Sequence, residues 1–476
     1  MERLVVIGGV AAGMSAASSF KRLKPEAEAV VIERDHFISY GACSLPYYIS
    51  DVIKDINSLL SLTPEIAAKE RGIKVLTRHE AISIDPAGRT VTVIALGTHE
   101  KKVIDYDKLV LATGGLPIRP PFPGIDLEHV FTLRNLHDGA KIKKFVNHWM
   151  SFEPCIGAHC TYENPFGVQR RPMEAAIIGG GSIGMEMCEA FRKRGLEVTV
   201  FEKMDRVLGT MDTTITDVIE EQLKAEGVRL NKECSVEAFE ADNGKVARVK
   251  TDKGVFAADI VLLGIGARPN TSLAVDTKIE LGAGGAIKVD DYLQTSIPDI
   301  FAAGDCAEAK HIVTGKKVYI PLGTTANKQG RIAGENAAGM MKPFEGVAGT
   351  AVTKIFDLEV ARTGISPLEA SRENLDHFVS TIKGRSRSNA YPEGKQITVT
   401  YIVEKGSGRL LGAQMAGAEG VAHRIDTLAT ALYNKMTVSD IARLDLAYAP
   451  PFATVWDPIL VAANVAVKRL QNKTQS

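Results

Sequence analysis

Two glycine-rich turns, each set between a short apolar strand and a helix, limit what this chain can fold into more than anything else in it. The first, GGVAAG over residues 8–13, follows an apolar strand from Leu4 to Gly8 and leads into a helix from Gly13 to Leu23. A second strand, from Ala29, ends in Glu33, 20 residues after Gly13. In a βαβ dinucleotide fold the tight turn lets backbone N–H groups approach a pyrophosphate at the helix N-terminus, and an acid about 20 residues on holds ribose hydroxyls. Gly8, Gly9, Ala12, Gly13 and Glu33, with Arg34 beside the acid, are the candidate contacts. Val10 stands where the central glycine usually is, so this turn alone could be a packing device. The second turn, in AAIIGGGSIGMEMCEAFRKRGLEVTVFEK, keeps Gly179, Gly181 and Gly184 in full GxGxxG register, with Ser182 among them and Glu202 closing the next strand. Two dinucleotide folds in one chain predict an α/β protein.

Length and charge narrow the class. A chain of 476 residues is too long for one core and suggests roughly three domains of ~150 residues. Lys plus Arg and Asp plus Glu are 57 each, so there is no overall basic field and no nucleic-acid partner is expected. The N-terminal run LVVIGGVAAG is broken by glycines and reads as strand and turn rather than a signal peptide. No apolar run reaches the ~18 residues of a membrane span, so no membrane partner is expected. Six cysteines in so long a chain make no disulfide framework; reduced thiols and a cytoplasmic setting are expected.

Among these thiols Cys43 is placed for chemistry. It sits in SYGACSLPYYISD, a run that begins six residues after Glu33. A thiol delivered to a flavin points to thiol or disulfide redox work, and a helix N-terminus after it would favour the thiolate. Further on, LVLATGG (109–115, with Thr113 and Gly114), VLLGIGARPN (261–270, with Gly266) and TSIPDIFAAGDCAE (295–308) each end an apolar strand in small residues, where backbone passes close to a cofactor. Asp305, expected at a strand end beside a helix start, is the candidate for a ribityl chain; the alternative is a buried cap.

This ordered set resembles the pyridine nucleotide-disulfide oxidoreductase superfamily, glutathione reductase type. The resemblance implies two dinucleotide-binding (Rossmann-like) domains and an α+β C-terminal dimerisation domain. FAD would lie on 1–120 and 290–345, NAD(P)H on 121–289 with an insertion at 148–172, and dimerisation would use 346–476. Arg134 joins the cofactor contacts on the same ground. Within the superfamily, SxxxCxLPYY is similar to the coenzyme A disulfide reductases and the CoA-persulfide or polysulfide reductases. No second cysteine is near Cys43, so its oxidised form would be a mixed disulfide, persulfide or sulfenic acid. Relatives that act on peroxide carry a histidine where this chain has Ala11. Persulfide reductases with a fused rhodanese domain continue well past residue 476, so that domain is not expected.

The CoA moiety would lie on Ser15, Ser19 and Arg22, whose spacings of four and three put them on one helix face. Ser39, Asn327 and Arg71, shortly after the Thr63-Pro64-Glu65 turn, complete the pattern, and Ala42 replaces the usual amide side chain. The resemblance also implies that Tyr448 and, less directly, Tyr391 reach the other subunit's cysteine in a homodimer and serve a leaving thiolate. Glu202 favours NADH, with NADPH second because Lys203 and Arg206 are near. NADH oxidation by oxygen, or electron transfer to a small protein acceptor, are the alternatives. One segment falls outside the pattern: HWMSFEPCIGAHCTYENPFGVQRRP, with Cys155, Cys160, His148 and His159. A structural loop, an accessory dithiol and a metal site all stay open for it, although its spacings match no common zinc pattern and no metal is assigned. Cys188 in a helix, Cys234 in a strand and Cys306 beside Asp305 are expected to be core residues.

Overall fold

The computed structural model describes residues 1–150 and 173–474. Most of the insertion, with Cys155, His159 and Cys160, therefore lies outside the described residues. The chain divides into two compact units, one of residues 1–44, 55–117 and 267–347, the other of 45–54, 118–266 and 348–476.

The first unit is built on a parallel sheet in the order Ile300–Ala302, Lys108–Leu111, Arg3–Ile7, Glu28–Glu33, Ile73–Thr77. Its strands read as continuous apolar runs because helices cover the sheet. Leu4, Val5 and Val6 are wholly buried, as are Leu109 and Val110. The Ala11–Leu23 helix starts two residues earlier than expected, since the Met14 N–H already donates to the Val10 carbonyl at 3.1 Å. It packs against the Gly323–Ala337 helix so closely that a side chain at Gly330 or Gly334 would run into the carbonyls of Ala12 and Ala16.

The second unit repeats the plan with a parallel sheet in the order Arg229–Asn231, Glu197–Phe201, Glu174–Ile178, Ile260–Leu263, Val130–Thr132. The same unit holds a five-stranded antiparallel sheet, Ala351–Ile355, Leu358–Gly364, Leu410–Gly417, Gln396–Glu404, His377–Arg385. Charge joins these layers. Glu189, on the Ser182–Lys193 helix, is buried and receives Lys354 Nζ at 2.7 Å and the Phe356 N–H at 3.0 Å. Gln414 accepts the Asp212 N–H at 2.6 Å and donates to the Thr210 carbonyl at 3.0 Å.

Two expectations need correction. Cys234 is buried but lies between the strands Arg229–Asn231 and Val236–Asp242, its N–H bonded to the Glu202 carbonyl at 3.0 Å. Asp305 is not beside a helix start. It lies in a turn closed by the Ala307 N–H on the Gly304 carbonyl at 2.9 Å, and the next helix begins at Gly323. Gly304, at φ +83°, provides the left-handed residue that turn requires.

Candidate active site

Both glycine turns use the same device. At the first, Gly8 has φ +107°, and a side chain there would collide with the Ala112 carbonyl; one at Gly13 would collide with the Gly8 carbonyl. Only glycine permits backbone to pack this closely here, the tight turn that a pyrophosphate at the helix N-terminus requires. Glu33 ends the adjacent strand and accepts the Gly9 N–H at 2.7 Å and the Asp35 N–H at 2.8 Å. Burial pushes its carboxyl above the ordinary range, with those two N–H bonds opposing the shift. Ala12 is buried in the same turn, while Arg34 is exposed.

At the second turn, Gly179 has φ +102°, and a Cβ would stand 2.7 Å from the Gly264 carbonyl oxygen. A side chain at Gly184 would meet the Gly179 carbonyl. Glu202 accepts the Gly180 N–H at 2.6 Å and the Met204 N–H at 2.7 Å. Gly181 caps the helix that Ser182 opens. Gly266, at φ +102°, accepts the Ile118 N–H at 3.0 Å, and the Arg134 N–H donates to Asp138 at 2.9 Å.

Around the first turn the structure adds residues that sequence reasoning missed. Thr113 Oγ1 donates to the Asn270 carbonyl at 2.6 Å, and the Asn270 N–H returns to the Gly114 carbonyl at 2.9 Å. Gln329 is fully buried and spans the Asp305 turn, accepting the Gly304 N–H at 2.9 Å and donating to the Glu308 carbonyl at 2.9 Å. Gln329→Leu should therefore cost ~1–3 kcal/mol in urea unfolding by stranding the buried Gly304 N–H, and should weaken flavin retention. An unchanged urea midpoint would show that this clamp is idle.

Cys43 is exposed in the one-turn helix Ala42–Ser44, which runs into the helix Leu45–Ile49. The turn is tied to the first glycine loop: the Ser39 N–H donates to the Gly9 carbonyl at 2.9 Å, and the Ser39 carbonyl accepts the Ser61 N–H at 2.8 Å. Ser39 holds φ +46°, a left-handed position that is strained for serine. The Gly41 N–H on the Leu59 carbonyl, at 2.9 Å, anchors the other side. In the second unit, Lys143 fixes the residues that follow, with Nζ 3.9 Å from the Tyr48 ring centroid and 2.8 Å from Asp51, which also meets Arg194 at 2.7 Å.

The expected substrate residues all lie in the first unit, with Arg22, Arg71 and Asn327 exposed, Ser15 and Ser39 half-buried and Ser19 buried. Ser15 Oγ donates to Asn327 Oδ1 at 2.9 Å, and Arg22 donates to Ser19 Oγ at 3.0 Å. Arg71 donates to Ser18 Oγ at 3.0 Å, so two exposed guanidiniums converge on adjacent residues of one helical turn. Ser18 lies three residues from Ser15 and four from Arg22, a spacing that could have marked it in the sequence. In the second unit Tyr391 and Tyr448 are both exposed, and the Ser388 N–H on the Pro450 carbonyl at 3.3 Å ties their segments together. Phe452, Val455 and Trp456 beside them are also exposed.

The other described cysteines are poorly suited to thiolate chemistry. Burial raises the thiols of Cys188, Cys234 and Cys306, and Cys306 Sγ points at the Leu111 and Ala303 carbonyls at 3.3 Å each. Among the described residues, no three His, Cys, Asp or Glu side chains group as metal ligands.

Known proteins are similar to this chain along most of its length. The CoA-dependent NAD(P)H sulfur oxidoreductase of Pyrococcus abyssi is 39% identical over 463 residues, 97% of each chain. An NADH oxidase of Methanocaldococcus jannaschii is 34% identical over 472 residues, 99% of this chain and 100% of its own. Among solved structures, the reduced CoADR-RHD of Bacillus anthracis superposes with a TM-score of 0.92 at 36% identity, over 99% of this chain and 81% of its own. An NAD-dependent persulfide reductase from A. fulgidus superposes with a TM-score of 0.91 at 37% identity, over 99% and 84%. Residues 2–330 match the pyridine nucleotide-disulphide oxidoreductase family and residues 350–458 its dimerisation domain, and the chain belongs to that family.

Proposed function

We propose that this chain is an FAD-dependent NAD(P)H oxidoreductase that reduces CoA disulfide or CoA persulfide and polysulfide through Cys43. The observation that carries the reading is one exposed thiol on a turn bonded to the first glycine loop, while the other described cysteines are buried. The first glycine turn, Glu33, Arg34, Thr113, Gly114 and Asp305 would hold FAD. Gly179, Gly181, Ser182, Gly184, Glu202 and Gly266, with Arg134, would hold the nicotinamide nucleotide. When bound, FAD supplies a two-electron relay that accepts hydride from NAD(P)H and restores the Cys43 thiolate.

Cys43 performs the exchange. Its thiolate attacks one sulfur of CoA disulfide, forming a Cys43–CoA disulfide as the second CoA leaves as a thiolate with the electron pair of the broken bond. With CoA persulfide, Cys43 takes the outer sulfur, CoA thiolate leaves, and the two-electron reduction that follows releases sulfide. Arg22 and Arg71 would pair with CoA phosphates, Ser15, Ser39 and Asn327 would line the rest of the carrier, and the buried Ser19 would hold Arg22 in place. Tyr448 and Tyr391 of the partner subunit would donate a proton to the leaving thiolate in a homodimer, whose contact would draw on the exposed Phe452, Val455 and Trp456. A cytoplasmic setting keeps such a thiol reduced; no described helix is long and apolar enough to cross a membrane.

Oxygen reduction is the second reading, favoured by the similarity to an NADH oxidase and opposed by Ala11 where a histidine would act on peroxide. Turnover with CoA disulfide, CoA persulfide and oxygen under one NADH concentration separates the two. Sulfur turnover should exceed oxygen turnover by at least roughly tenfold, because the thiol, not the open flavin, receives the electrons. NADH should be preferred over NADPH, since the Glu202 carboxylate accepts ribose hydroxyls and repels a 2′-phosphate. Oxygen turnover matching sulfur turnover would overturn the assignment.

A further inference from the structure

The loop after the second acidic strand end is fastened to the glycine turn at both ends. Glu202 takes the Gly180 N–H at 2.6 Å, and the Leu208 N–H donates to the Gly180 carbonyl at 2.8 Å. Residues 203–206 are thereby held at the rim of the turn, where an adenosine ribose would lie. Two bases in this stretch, Lys203 and Arg206, could reward a 2′-phosphate. Arg206 is already engaged: its Nε donates to Asp205 Oδ1 at 2.9 Å and its Nη2 to Asp205 Oδ2 at 2.5 Å. A guanidinium whose fork grips a carboxylate has committed the paired donors it would present to a phosphate.

We propose that Asp205 is a positioning residue for nucleotide selectivity: by gripping Arg206 it withholds that cation from a 2′-phosphate, so that the pair reinforces the choice of NADH made by Glu202. This rests on the reading of the second fold as the nicotinamide nucleotide site. The pair joins an exposed Asp205 to a half-buried Arg206 and is open enough to solvent to be weak, so a phosphate dianion could compete for Arg206 on energy alone. Asp205 opposes it twice, as a rival acceptor and as a like charge. Removing Asp205 removes both, and Arg206 then becomes a phosphate ligand.

Calorimetric titration of the holoenzyme with 2′,5′-ADP and 5′-ADP, two redox-inert probes of the ribose pocket, tests this. Asp205→Ala should raise the affinity ratio of 2′,5′-ADP to 5′-ADP by roughly tenfold, as a charge-assisted contact warrants. Adding Arg206→Ala should return the ratio toward the parent value, and Asp205→Glu, which can keep the fork, should hold it there. In turnover, the gain should fall on the Michaelis constant for NADPH rather than on kcat. An unmoved ratio in Asp205→Ala, or a gain that survives the loss of Arg206, overturns the proposal while 5′-ADP binding still upholds the nucleotide site. Failure of 5′-ADP to bind the parent protein would overturn both.

Discussion

Cys43→Ser should reduce turnover of CoA disulfide and of CoA persulfide to below roughly a tenth of the parent rate, because a serine hydroxyl is a far weaker nucleophile than a thiolate and cannot carry the exchange. Reduction of the bound flavin by NADH, followed anaerobically by loss of its visible absorbance, should persist. The two halves separate because each uses its own residues: the second glycine turn and Glu202 would hold the donor, while Cys43 is on a turn fastened to the first. Serine is also a conservative change at an exposed position, so misfolding would not account for the loss. A variant that kept a tenth or more of its disulfide turnover would remove Cys43 from the mechanism.

The second large effect concerns the carrier. Arg22→Ala and Arg71→Ala should each raise the Michaelis constant for CoA disulfide and CoA persulfide by about tenfold or more, in line with the ~1.5–3 kcal/mol of a hydrogen bond to a charged group. Inorganic polysulfide, which lacks phosphates, should be nearly unaffected. Because the two guanidiniums meet at Ser18 and Ser19 on one helical turn, the double variant should lose less than the sum of the single losses if both serve the same phosphate. Steady-state kinetics on the three substrates decides the matter. Equal weakening for CoA substrates and polysulfide would mean that this face does not recognise CoA.

What could be read from the chain alone follows from how local the physics is. Gly8, Gly13, Gly179 and Gly184 were legible because a carbonyl oxygen occupies the space a Cβ would need, a demand that only glycine meets. Glu33 and Glu202 were legible because a strand end at a set distance from the turn brings a carboxylate to its backbone. Cys43 stood out by its position relative to Glu33. Long-range partners were not legible: Gln329 reaches Gly304 across 25 residues and Arg71 reaches Ser18 across 53. Nothing local announces such pairs. The strand expected at Cys234 is instead the connector between Arg229–Asn231 and Val236–Asp242, and the residue is buried there all the same. At Asp305 a left-handed glycine turns the chain before any helix starts, a backbone choice that the run of small residues around it does not reveal.

The helix Ala11–Leu23 begins at a glycine turn, is closely approached at Ala12 and Ala16 by Gly330 and Gly334, and carries a half-buried Ser15, a buried Ser19 and an exposed Arg22 at spacings of four and three. If this helix holds the sulfur carrier, one rigid rod serves two ligands, and an evolving lineage could not shift or tilt it to suit a new carrier without disturbing the flavin turn. Divergence in substrate would then be confined to exchanging side chains on a fixed frame. Relatives that use other acceptors should differ at Ser15 and Arg22 while keeping the glycines at 330 and 334, and engineers seeking a new thiol specificity should begin with the same two positions.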